Sequence, residues 1–148
     1  MRSLDVFRQR LEYPDLKRKV IELHRQWRNH TNDYALLIEN KGSGMPLIQD
    51  LKRDNIHAIA IEPKDDKVMR MNAQTARIEA GSIYLPQRAE WLDEFRKELL
   101  AFPASRHNDQ IDALSQGLQI RRHDSLKVAL GAYGRPLLRV DLELAQGA

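Results

Sequence analysis

Two short apolar runs, each closed by a glutamate, constrain this chain more than any other feature. YALLIE at 34–39 and IHAIAIE at 56–62 are continuous enough to read as strands buried on both faces. Between them Gly42, Ser43 and Gly44 make a tight turn, and 45–54 reads as a helix. Strand, helix and strand at this spacing form a βαβ unit, whose crossover is right-handed and whose strands are parallel. Glu39 and Glu62 are then expected at one edge of the sheet, the edge at which open α/β sheets place their sites.

The flanking segments extend this unit. Residues 3–11 read as an edge-like strand, and from Pro14 the residues Leu16, Val20, Leu23 and Trp27 recur at helical spacing until 29–33 breaks the pattern. Residues 64–80 read as one basic helix stopped by Gly81, with a short strand at 82–85 before Pro86. A strongly amphipathic helix is expected over 90–102, with Trp91, Phe95, Leu99 and Phe102 on its apolar face, and another helix over 108–122. Residues 124–148 hold Gly131, Gly134, Pro136 and Gly147 without a clear period, and are expected to be an extension outside a domain of residues 1–123.

Composition narrows the chemistry. With 148 residues, 42% hydrophobic and 30% charged, the chain suits a single α/β domain with a modest core. It has no cysteine, which removes disulfides, thiolate zinc sites and thiol nucleophiles and leaves carboxylates or His to hold any metal. No apolar run approaches the roughly 18 residues of a bilayer span, and charges at Arg2, Asp5, Arg8 and Arg10 interrupt any signal peptide. A cytoplasmic protein is expected. Neither GxxxxGK, GxGxxG nor GxSxG is present, so a phosphate loop and a serine elbow are both missing from the pattern. The net charge of +3 mildly favours a polyanionic partner.

The helix HNDQIDALSQGL carries the candidate chemistry. Asp109, Asp112 and Gln116 share one face, with Ile111, Leu114 and Leu118 opposite. One reading is an ordinary amphipathic helix whose first-turn acids suit its macrodipole. The other brings Asp109, Asp112 and Glu39 around one or two divalent cations, which take oxygen ligands and relieve the repulsion among carboxylates. His107 could ligate that metal, shuttle a proton, contact phosphate or cap the helix, whereas His24, His30, His57 and His123 lack zinc-like spacing and read as structural or surface residues. Lys67 and Arg70, next to Asp66, could contact a phosphate backbone or make a salt-bridged solvent face.

Taken together and in order, DVFRQRLEYPDLKRKVIEL, ALLIENKGSG, DKVMRMNAQTARIEAGSIYLP, WLDEFRKELLAFP and HNDQIDALSQGL resemble the C-terminal nuclease domain of the large terminase subunit of tailed phages and prophages, over Asp5 to Leu118. The last stretch is close to that family's HDDxxDAL pattern. The resemblance implies an RNase H-like mixed β-sheet flanked by helices, and endonucleolytic cutting of concatemeric viral DNA with Mg²⁺ or Mn²⁺ during packaging. By position it makes Glu39, Asp109 and Asp112 the metal-binding and catalytic acids, His107 the motif histidine, and Lys67 and Arg70 the DNA-binding residues.

The family's first catalytic aspartate, with its strand and hairpin partner, would precede Met1, and the ATPase domain is likewise outside the chain. A truncated piece is therefore expected, with a sheet edge open to pairing with a second copy. Double-stranded DNA and other terminase or portal components are the implied partners. Two alternatives remain: a noncatalytic prophage remnant that binds DNA or a packaging partner, and a small regulatory α/β domain whose acids are only a solvated face.

Overall fold

The computed structural model describes residues 5–29, 35–62, 64–80 and 85–119, with the strand segments 125–130, 137–139 and 141–143. In chain order the elements are β1 (Asp5–Phe7), α1 (Tyr13–Arg28), β2 (Ala35–Glu39), α2 (Gly44–Arg53), β3 (Ala58–Ile61), α3 (Lys67–Asn72), α4 (Thr75–Glu79), α5 (Leu92–Ala101), α6 (Asp109–Gln119), β4 (Ser125–Leu130), β5 (Leu137–Arg139) and β6 (Asp141–Glu143). One sheet has the order β3-β2-β4-β6, parallel except for the antiparallel β4/β6 pair, and β1 pairs antiparallel with β5 in a second, two-stranded sheet. No helix among the described residues is long and apolar enough to cross a membrane.

The βαβ unit is as the sequence implies. Leu36, Leu37 and Ile38 are 2%, 0% and 0% exposed, so β2 is buried on both faces. Because side chains alternate along a strand, Leu37 enters one core with Met71, Phe95, Ile111, Leu114 and Leu118. Leu36 and Ile38 enter the other with Leu16, Val20, Leu23, Trp27, Leu47 and Leu51. Helices thus cover both faces: α1 and α2 on one side, and α3, α5 and α6 on the other. The turn after β2 is set by glycine: Gly42 has a φ of +55°, and a β-carbon on Gly44 would run into the Glu39 carbonyl oxygen.

α1 starts with Pro14 in its first turn, where the missing N–H costs nothing, and buries the expected stripe. Tyr13 ties it to α2 by donating its hydroxyl to Asp50 Oδ2 at 2.7 Å, and Lys17 Nζ lies 2.9 Å from Asp54 Oδ2. Burial and this bond push the Tyr13 phenol up to about 12.

Two expectations change, and a third lies mainly outside the described residues. The segment 64–80 is two short helices rather than one. Asp66 caps α3 by accepting from Val68 N and Met69 N, and the break falls where buried Gln74 lends its carbonyl to Arg77 N and Ile78 N. The strand at 82–85 falls mainly outside the described residues, and Leu85 is not in a strand. Residues 125–130 are no extension: β4 lies beside β2 in register Ala35↔Val128, Leu36↔Ala129 and Leu37↔Leu130. β2 is therefore paired on both sides, by β3 and by β4 of the same chain.

His24 lies buried on α1, and burial foremost, then Arg28 and Arg25, holds its imidazole below the usual 6.5. The unfolded chain takes up this proton more readily, so the stabilisation is full above about pH 6.5 and is lost as pH falls toward the folded-state value. Urea midpoints measured from pH 7.5 to 5.5 should fall on acidification and flatten in His24→Gln; matching profiles for the two proteins would contradict this.

Candidate functional site

The site is organised by α6, which is buried along Gln110–Leu118 on its polar as well as its apolar side. A helix buried in this way must still satisfy its free N–H and C=O ends. At the head, the buried Glu98 of α5 accepts from Gln110 N at 2.6 Å and Ile111 N at 3.2 Å through Oε1, and from Gln110 Nε2 at 2.8 Å through Oε2. At the tail, Arg77 Nη1 of α4 donates to the Leu118 carbonyl at 2.8 Å. A carboxylate at the positive end and a guanidinium at the negative end both complement the helix dipole.

The middle of α6 is held by a third charge. Arg70 of α3, with a side chain 5% exposed, pairs through Nη2 with Asp112 Oδ1, whose side chain is 16% exposed. The same guanidinium donates through Nη1 to the Asp65 carbonyl, and Nε reaches Ser115 Oγ at 3.4 Å. Ser115 Oγ in turn donates to the Asp112 carbonyl at 2.8 Å. Asp112 is therefore held through Oδ1 by Arg70 rather than left on a solvated face. Arg70, expected at a DNA phosphate, is turned inward, where its buried guanidinium has the half-buried Asp112 carboxylate as counter-charge.

Lys67 is also drawn in: its Nζ donates to Asn108 Oδ1 at 2.8 Å, and Asn108 is buried just ahead of α6. His107 is exposed, and its carbonyl accepts from Ser105 Oγ. Glu39 ends β2 opposite Ile61 of β3, so Glu39 and Glu62 do emerge at one edge. Asn40 bridges the two strand ends, with its N–H on the Ile61 carbonyl at 2.8 Å and Nδ2 on Glu62 Oε1 at 3.0 Å.

Glu39 lies two residues beyond Leu37 and so faces the α6 side of the sheet. α6 leads into β4, which runs parallel to β2, so α6 must return across the sheet with its first residues at the edge where β2 ends. Topology thus brings half-buried Glu39 and Asp109 to the same edge. Exposed cations border it: Lys41 just past β2, Lys64 past β3 and Arg106 ahead of α6. The sequence reading placed Lys64 only in a basic helix and passed over Lys41 and Arg106, although each of the three lies within three residues of a strand or helix end at that edge. It also passed over Glu98 and Arg77.

A family model described as a terminase RNaseH-like domain matches residues 4–120 of the 148. The chain belongs to this family. No curated protein and no solved structure matches it. Membership in the terminase RNaseH-like family supports the resemblance read from the sequence and the α/β fold class.

For this terminase RNaseH-like domain, the expected metal set is not assembled by the residues in view. Among the described residues, no three His, Asp or Glu side chains come together as a group able to hold a metal ion. Asp112 is paired with Arg70, which leaves Glu39, Glu62 and Asp109 as acids of the edge. A hard divalent cation takes several oxygen ligands, so these residues do not fit Mg²⁺ or Mn²⁺ by themselves.

Removing the Glu98 carboxylate leaves buried donors bare at roughly 1 to 3 kcal/mol each. Glu98→Ala should therefore lower unfolding free energy well beyond the 0.5 kcal/mol of a neutral surface change, with faster amide exchange at Gln110 and Ile111. Unchanged denaturation and exchange would contradict the capping role.

Proposed function

We propose that the chain is the nuclease-type part of a phage terminase large subunit, working on double-stranded DNA during genome packaging. It engages DNA at the edge where β2 and β3 end, and on its own it holds the duplex without cutting it. The observation that carries this reading is the commitment of Asp112 to the buried Arg70 guanidinium, which takes one of the three candidate acids out of any metal site. The exposed Lys41, Lys64 and Arg106 at the same edge supply cations for phosphate oxygens, and the net charge of +3 agrees in sign. Other terminase or portal components are the partners such a domain would work beside.

A second reading, a divalent-metal-dependent endonuclease active as it stands, is favoured by the arrival of Glu39 and Asp109 at one edge. His107, exposed two residues before Asp109, would belong to that site.

One assay separates the two: supercoiled plasmid incubated with the purified chain in Mn²⁺ or in EDTA, followed by both retardation and nicking. The expected outcome is retardation without nicks in either condition. Affinity should fall with salt, and the triple variant Lys41→Ala, Lys64→Ala, Arg106→Ala should flatten the log–log salt slope by roughly 0.9 per phosphate contact removed. Mn²⁺-dependent nicks that vanish in Asp109→Asn would overturn the first reading and establish the second.

A further inference from the structure

Lys67 does not sit where a phosphate contact would. Its half-buried side chain donates through Nζ to Asn108 Oδ1 at 2.8 Å. Asn108 is buried, and its amide is oriented by both neighbours: Oδ1 accepts from Lys67, which can only donate, and Nδ2 donates to the Ser105 carbonyl at 3.2 Å. A polar residue just ahead of a helix commonly turns its side chain back onto the free N–H groups of the first turn. Here Glu98 of α5 already accepts from Gln110 N and Ile111 N, so the Asn108 side chain is used toward α3 instead.

That bond joins two chain segments that each carry an exposed cation of the edge where β2 and β3 end. α3 begins at Lys67, capped by Asp66, and Lys64 stands three residues upstream, just past β3. Arg106 stands two residues before Asn108 in a loop tied to itself. Ser105 N donates to the Ala101 carbonyl at 3.0 Å, Ser105 Oγ donates to the His107 carbonyl, and Asn108 Nδ2 returns to Ser105. One turn further along both helices, Arg70 pairs with Asp112. α3 is thus fastened to the head of α6 at two points, and neither helix can slide or turn without breaking one of them. The fastening sets the separation of the backbone at Lys64 from the backbone at Arg106. Cations carried on a preorganised backbone give up less freedom when they bind a polyanion.

We propose that Lys67 is a positioning residue of the DNA-binding edge, which acts through Asn108 to hold Arg106 at a fixed separation from Lys64 and touches no phosphate itself. The inference rests on the proposed contact of Lys64 and Arg106 with duplex DNA. A lysine on a phosphate contributes through its own charge, whereas a lysine on Asn108 contributes only while Asn108 and Arg106 are both present.

Affinity for one labelled duplex, measured by fluorescence anisotropy, separates these roles. Arg106→Ala should weaken binding by about fivefold at about 0.15 M salt, the factor given by a salt slope of about 0.9 per phosphate contact. Lys67→Met should weaken binding by no more than that in the unmodified chain and have no further effect in the Arg106→Ala background. Asn108→Ala, which leaves every charge of the chain in place, should reproduce the loss. Additive losses from Lys67→Met and Arg106→Ala, or an Asn108→Ala variant that binds like the unmodified chain, overturn the positioning role and make Lys67 a direct contact.

Backbone amide relaxation by NMR, recorded without DNA, gives a second readout. Order parameters at Arg106 and His107 should fall in both Lys67→Met and Asn108→Ala. A chain that binds duplex but keeps these order parameters in both variants overturns the role of Lys67 alone. An unmodified chain that binds no duplex overturns the proposed function on which the inference rests.

Discussion

The buried α6 helix is the constraint on which the rest of the structure depends. A helix with Gln110, Ser115 and Gln116 inside the protein is stable only if neighbouring elements bring compensating charge and hydrogen bonds to it. α5 delivers Glu98 to its head, α3 delivers Arg70 to its middle, and α4 delivers Arg77 to its tail. The positions of these three helices are thus tied to one electrostatic requirement, while Phe95, Met71 and Ile111 supply the apolar burial that holds the layer against β2.

The same requirement shapes the site. Of the two half-buried acids of α6, Asp112 is matched by a guanidinium, and Asp109, at its first residue, lies at the edge reached by Glu39. Lys41, Lys64 and Arg106 border the same edge, which is the charge on which the proposed contact with a polyanion rests. In this terminase RNaseH-like domain, the proposal that a duplex is held without being cut rests on the commitment of Asp112 to Arg70.

Much of this was legible in the sequence where the signal is local. The runs ending in Glu39 and Glu62 named their own strands, turn and common edge, because continuous burial and glycine placement are properties of adjacent residues. The stripe of Leu16, Val20, Leu23 and Trp27 was legible for the same reason. What stayed hidden is carried by pairs distant in sequence. Periodicity showed polar residues at 109, 112 and 116 and so suggested a wet face, but that face is covered by Arg70, whose inward turn depends on Asp112 more than forty residues away. Glu98 carries no local signal between Phe95 and Leu99, since only the position of α6 makes it a cap. β4 was missed because its six residues stand among glycines, and its partner strand lies in the first half of the chain.

The Arg70–Asp112 pair is the centre of this structure, and a double-mutant cycle in urea denaturation tests it most directly. Arg70→Met and Asp112→Asn should each lower stability by roughly 1 to 3 kcal/mol, as expected when one partner of a part-buried charged hydrogen bond is removed. The double variant should lose little more than either alone. Additive losses, or an Asp112→Asn variant more stable than the unmodified chain, as relief of repulsion among clustered acids would make it, would contradict the pairing and return Asp112 to the candidate metal site.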